Sequence, residues 1–251
     1  MKTLDLNCDL GEGAGHDAEL MPLITSANIA CGAHAGDEAT MRATVALALQ
    51  HGVAIGAHPG FADRKNFGRQ EQSLPVAALR ELVVSQIAAL ARFAELRHVK
   101  PHGALYNQAA RDPAVARAVV AAVREIDPAL VLFALAGSEL ARAGRAAGLA
   151  VAEEVFADRS YQRDGSLTPR SGAGALITDE SVAVAQVLRM AREGVVRATD
   201  GTDVAIRADT VCLHGDGAHA VAFARRLNAE LRSAGMKLGP YEPRMDANSR
   251  E

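Results

Sequence analysis

Seven times along this chain a short apolar run stops at a turn, and in most cases a helix-periodic segment follows. That recurrence limits the fold more than any other feature. The runs cover residues 3–6, 26–30, 53–56, 99–103, 129–134, 150–156 and 210–213. The fifth is uniformly apolar, as suits a parallel strand covered on both faces. Helical spacing is found over 38–50, 74–96, 113–126, 139–147, 180–192 and 218–234, with a short helix over 17–23. Asp37, Asp112, Ser138 and Asp179 stand where helix caps belong, and Ser73 precedes a helix with Pro75 in its first turn. Residues 195–207 alternate around Asp200-Gly201, the pattern of a small hairpin. About seven strand–helix units predict one closed or nearly closed (β/α) barrel over 1–251, an α/β fold. Residues 237–251, rich in proline and charge, read as a C-terminal arm, extended or frayed.

Function collects at the strand ends. His34, His58, His102 and His214 each follow an apolar run and sit beside Gly, Pro or another small residue. In parallel α/β folds that edge is where ligands bind. The four histidines are therefore expected to share one cavity with Asp9 and Lys100. His51 ends a helix, and His16, His98 and His219 read as structural or solvated. After the first strand, Asn7-Cys-Asp9-Leu-Gly-Glu12-Gly can bind a metal, polarise water or hold an amide, or simply form a turn with solvated acids. Lys100 closes a buried strand, where a charge is costly unless paired or functional. Either a rim lysine in an ion pair or a site cation fits. Two long polar loops, 59–73 and 161–174, carry Arg64, Arg69, Arg163 and Arg170; such loops commonly cover a site.

The rest of the chain excludes other classes. The net charge is −3 with no basic block, so no nucleic-acid partner is indicated. No apolar run approaches a membrane span and no signal-type segment opens the chain, which predicts a cytoplasmic protein without a membrane partner. Cys8, Cys31 and Cys212 are scattered, with no CxxC, and read as reduced thiols. No Gly-x-x-x-x-Gly-Lys-Ser/Thr and no Gly-x-Ser-x-Gly occur. Nor is there a zinc signature as compact as His-Glu-x-x-His, which predicts no tightly held transition metal.

Several of these loops, taken together, resemble the LamB/YcsF family. The resemblance rests on Asn7-Cys-Asp-Leu-Gly-Glu-Gly13, Ala27-Asn-Ile-Ala-Cys-Gly-x-His-Ala-Gly-Asp37, Lys100-Pro-His-Gly-Ala-Leu-Tyr-Asn107, Glu154-Val-Phe-Ala-Asp-Arg159 and His214-Gly-Asp216. Ala33, Glu38, Asn66 and Gln70 depart from the family's usual residues. The resemblance implies a distorted seven-stranded barrel of the glycoside hydrolase/deacetylase type. It also implies a 5-oxoprolinase subunit that works with two others. Together they open the lactam of 5-oxo-L-proline to L-glutamate with hydrolysis of ATP, which brings Mg²⁺.

On that reading Asp9, Glu12, His34, His58, Lys100, His102 and Asp216 are the catalytic candidates. Asn7, Asp37, Arg69, Tyr106, Glu154, Arg159 and His214 are the candidates for binding substrate. Lys100, Arg69 and Arg159 would meet the carboxylate and phosphate, and Asp9, Glu12 or a strand-end histidine would serve as base. Two other readings stand beside it. One is a metal-dependent deacetylase or amidohydrolase, the other a non-catalytic subunit that presents the lactam.

Overall fold

The first strand, β1 (Thr3–Leu10), sorts its side chains by alternation. Leu4, Leu6, Cys8 and Leu10 join the main apolar core. Asp5, Asn7 and Asp9 point the other way, because successive strand residues face opposite sides of a sheet. The computed structural model describes residues 3–213 and 219–243. Within them β1, β2 (Ser26–Ala30), β3 (Ala54–His58), β4 (His98–Val99), β5 (Val131–Leu135) and β6 (Val151–Phe156) follow one another in parallel. After the antiparallel hairpin of β7 (Val195–Arg197) and β8 (Asp203–Ala205), β9 (Thr210–Leu213) pairs with both β6 and β1. That double pairing closes a seven-stranded parallel barrel.

Helices shield the outer face. They are α1 (Asp17–Leu20), α2 (Glu38–His51), α3 (Val76–Ala91), α4 (Gly103–Arg111), α5 (Pro113–Ile126), α6 (Glu139–Ala146), α7 (Glu180–Glu193) and α8 (Ala220–Ser233). Asp37, Asp112, Ser138 and Asp179 cap α2, α5, α6 and α7 as their positions predict. Ser73 does not cap α3; Pro75 holds the N-cap, with its extended backbone and no side-chain bond. The fourth strand is shorter than the apolar run suggests. Pro101 has no N–H for a ladder, so regular pairing stops after Val99. At the C-terminal end, β10 (Lys237–Leu238) pairs with Thr3 and Leu4, so the start of the arm is tied to the barrel.

The barrel interior is polar. Asp5, Asn7 and Asp9 meet Ser26, Asn28, Glu154 and Thr210 inside the ring. Buried polar groups cost several kcal/mol unless bonded, and here the strands satisfy one another. Asp5 Oδ1 accepts from Thr25 Oγ1 and Ser26 Oγ, each at 2.6 Å, and Oδ2 accepts from Thr210. Burial still pushes the Asp5 carboxyl up to about 6, against those hydroxyls. His98, expected in a connection, lies inside as well. It donates to Asn28 Oδ1 at 2.7 Å and stacks on Phe133, with ring centroids 4.2 Å apart. Gly56 leaves room for that imidazole, since a Cβ there would stand 2.1 Å from His98 Nε2.

Candidate active site

The polar column of the interior rises to the C-terminal ends of the strands and there becomes the floor of a cavity of about 800 Å³. Asp9, Glu12, His58, Lys100, His102 and Tyr106 line it, with Arg69 from one long loop and Arg159 and Arg170 from the other side. Lys100 is no rim lysine. It is buried, and its Nζ donates to Asp9 Oδ1 (2.9 Å), Asn7 Oδ1 (3.1 Å) and Cys212 Sγ (3.0 Å), with Glu154 Oε1 at 2.9 Å. Burial works against its charge, but Asp9, the Cys212 sulfur and Glu154 outweigh that and hold its pKa well above the ordinary lysine value. Asn28 Nδ2 bridges Asn7 Oδ1 (2.7 Å) and Asp9 Oδ1 (2.8 Å), which fixes one carboxylate oxygen of Asp9. The other, Oδ2, lies 3.3 Å from His58 Nε2.

Three of the four strand-end histidines meet. His34 stacks on His102 with ring centroids 3.8 Å apart, and His58 stands edge-on to both. Glu12 Oε1 reaches His34 Nε2 at 3.1 Å and His102 Nδ1 at 3.3 Å. Their electrostatics differ. Burial, then the neighbouring His58, holds His34 down to about 3 and His102 to about 2. Burial also opposes a charge on His58, but Asp9 and Glu12 outweigh it and raise its pKa. Of the three imidazoles, only His58 is shifted towards its charged form.

The loop over 59–73 is folded onto these rings. Phe67 adopts φ 55, left-handed for a residue other than glycine, and its carbonyl accepts from His102 Nε2 at 2.8 Å. Gly68 follows at φ +64, and a Cβ there would lie 2.8 Å from His34 Cβ. Gln86 of α3 clamps the same loop by donating to Gly60 O and accepting from Gly60 N. The other loop hangs on Tyr161, whose buried hydroxyl accepts from Phe156 N at 2.7 Å.

The fold takes up several of the residues expected to contact substrate. Asn7 and Glu154 are fully buried below the cavity and hold Lys100. Asp37 is taken up by the α2 cap, accepting from Thr40 N, and does not line the cavity. Arg159 lines it but donates through Nε to Ala175 O and through one Nη to Thr168 O, so it also braces its loop. His34 sits behind His102, 1% exposed. His214 and Asp216 lie outside the described residues. Asn28, His98 and Gln86 carry parts of this framework that the reading of the sequence missed. The signal available for each was a polar side chain within an apolar run. The Tyr106 hydroxyl and Glu154 Oε2 each lack a hydrogen-bond partner among the described residues. Burial, then the Glu154 charge, raises the phenol's pKa far above its ordinary value.

Known proteins share this arrangement of chain. A protein from Geobacillus kaustophilus described as the A subunit of 5-oxoprolinase is 57% identical over 247 residues, covering 95% of this chain and 96% of that one. Its namesake from Brevibacillus brevis is 54% identical over 248 residues, covering 95% and 98%. The crystal structure of a lactam utilization protein from Thermus thermophilus superposes with a TM-score of 0.90 at 46% identity, over 96% of this chain and 100% of that one. A deacetylase, T48, shares the fold alone, with a TM-score of 0.51 at 14% identity over 96% of this chain and 94% of that one. No described helix is long and apolar enough to cross a membrane. Residues 4–246 match the family's sequence pattern from the first strand to the C-terminal arm, and the chain belongs to the LamB/YcsF family.

Proposed function

We propose that this chain is the A subunit of an ATP-dependent 5-oxoprolinase. It binds 5-oxo-L-proline in the cavity and takes part in opening the lactam to L-glutamate. The reaction is coupled to hydrolysis of ATP, carried with Mg²⁺, in a complex with two other subunits. The names of its relatives support this reading. The observation that carries it is the cavity itself, which joins a fixed Lys100–Asp9 pair to arginines in the wall.

An unstrained lactam resists water because its amide is resonance-stabilised. Phosphoryl transfer from ATP to the lactam oxygen releases ADP and leaves an imidate that water can attack. Asp9 takes the proton of that water, with Oδ1 held by Lys100 and Asn28 and Oδ2 beside His58. Breaking the ring C–N bond then frees the amine, which gains a proton. The acyl phosphate left behind is hydrolysed by a second water to carboxylate and phosphate. Arg69 and Arg170 suit an anionic substrate in the wall of the same cavity. The sequence has no P-loop, so a nucleotide site on this chain would be of another kind, and a share of ATP binding by the partner subunits belongs to this proposal.

Reconstitution tests the proposal. The chain with its two partner subunits, 5-oxoproline, ATP and Mg²⁺ should release glutamate and ADP in equal amounts, and omission of this chain should abolish the release. Glutamate formed at full rate without ATP, or without this chain, overturns it. An amidohydrolase reading is favoured by the histidine cluster and would show as amide hydrolysis by the chain alone.

A further inference from the structure

Two backbone carbonyls fix the hydrogens on two of the clustered imidazoles. His58 Nδ1 lies 2.7 Å from Lys100 O, and His102 Nε2 lies 2.8 Å from Phe67 O. A carbonyl only accepts, so each of these nitrogens carries its hydrogen and donates. The opposite nitrogens, His58 Nε2 and His102 Nδ1, are then lone pairs unless a further proton is added. They face each other at 3.0 Å. Glu12 Oε1 stands 3.3 Å from the His102 nitrogen and 3.9 Å from that of His58, and His34 Nε2 lies 3.1 Å from the same oxygen. Two lone pairs and a carboxylate converge only around a cation.

We propose that Glu12, His58 and His102 bind one divalent transition-metal ion of the zinc class, with His34 Nε2 donating to Glu12 from behind. Their donor atoms lie within 4.8 Å of one another. Tetrahedral bonds of about 2.0–2.1 Å set neighbouring donors roughly 3.3 Å apart, and the separations of 3.0, 3.3 and 3.9 Å bracket that value. Imidazole and carboxylate suit zinc and cobalt better than magnesium. The same two carbonyl bonds also form an outer shell. Ligating histidines characteristically donate their far N–H to a carbonyl or carboxylate, which orients the ring. His58 and His102 both do so, and for His102 the backbone takes the left-handed turn at Phe67 to supply the carbonyl.

The competing occupant is a single proton on His58, stabilised by Asp9 and Glu12. Its position differs from a metal's in one respect: a proton on His58 Nε2 leaves the His102 Nδ1 lone pair against Glu12 Oε1 at 3.3 Å, a contact that an ion between them relieves. The site would face the cavity, since Glu12, His58 and His102 all line it. The inference stands apart from the lactam reading and does not depend on it.

Metal binding by the purified full chain tests it without any assay of turnover. After chelation and dialysis, titration with Zn²⁺ should give one equivalent bound by elemental analysis. Co²⁺ should give visible bands typical of a four- or five-coordinate nitrogen–oxygen site. Losing an outer-shell partner alone weakens metal affinity about 10–100-fold, so His58→Ala, His102→Ala and Glu12→Gln should each weaken it by at least about a hundredfold. Circular dichroism checks their fold, and His16→Ala and His51→Ala, on the outside of the barrel, should bind as the native chain does. The proposal is overturned if the native chain takes up no zinc at tens of micromolar. It is equally overturned if folded cluster variants bind as well as the native chain.

Discussion

Nζ of Lys100 stands 2.9 Å from Oε1 of Glu154, and neither side chain is more than 3% exposed. The pair is a buried cation and anion whose charges offset each other, with Asp9 as a second anion on the same ammonium. Removing one partner of such a pair leaves an uncompensated charge in the interior. Lys100→Met should therefore cost about 3–5 kcal/mol of stability. Adding Glu154→Gln should recover part of that loss, because the orphaned carboxylate is gone. Urea unfolding of the single and double variants measures both. A Lys100→Met cost below about 1 kcal/mol would show that the ammonium does not organise the floor of the cavity.

Asp5 gives the barrel a pH dependence of known sign. Its carboxyl titrates at about 6 in the folded chain, against an ordinary value of 3.8, chiefly through burial and with Glu154 adding repulsion. Between those values the folded state holds more protons than the unfolded chain. Its contribution is thus most favourable below about pH 4 and is lost as pH rises through about 6, by roughly 3 kcal/mol in all. Asp5→Asn, which stays neutral, should lack this slope. The difference in unfolding free energy between the two proteins, followed from pH 4.5 to 7, should change in the variant's favour. A constant difference would mean that Asp5 is ionised throughout.

Gly68 should tolerate no side chain. A Cβ would meet His34 Cβ at 2.8 Å and His102 Cδ2 at 3.0 Å, and the residue sits at φ +64. Gly68→Ala combines overpacking with a left-handed backbone, so a loss of about 1–3 kcal/mol is expected. Faster proteolysis within residues 59–73 should accompany it, because this loop is held by contacts to the rings it covers. An unchanged melting temperature and cleavage rate would place the loop away from the imidazoles.

The barrel was legible because its outer face obeys simple periodicity. Apolar runs of strand length, helix caps at Asp37, Asp112, Ser138 and Asp179, and turns between them are local signals, and they survive folding. The inner face was harder to read. Asn28 lies between Ala27 and Ile29 in a run that reads as plain strand, and only the pairing of β2 with β1 brings it to Asn7 and Asp9. His98 looked like a connection residue because Arg97 and His98 interrupt the apolar pattern, yet β4 turns it inward onto Phe133. The strand-end position did find His34, His58 and His102. Their meeting with Glu12 has no compact sequence signature, since the four come from the ends of four separate strands.

Asp9 and Arg69 should separate chemistry from binding. Asp9 holds one oxygen against Lys100 and Asn28 and lines the cavity, so it is placed to receive a proton rather than to attract an anionic substrate. Arg69 lies in the cavity wall, its guanidinium over the Phe67 ring at 4.9 Å, where it can meet a carboxylate present before and after ring opening. A contact made equally in ground and transition states changes affinity alone, whereas a proton acceptor acts in the transition state. In the reconstituted complex, Asp9→Asn should lower kcat by about 10²–10⁴-fold with little change in KM for 5-oxoproline. Arg69→Ala should raise KM roughly tenfold, the loss of about 1.4 kcal/mol of charged hydrogen bonding, and leave kcat near its native value. Thermal melts of both variants exclude a simple folding defect. If Asp9→Asn keeps native turnover, Asp9 is not the base and the proton goes to another group.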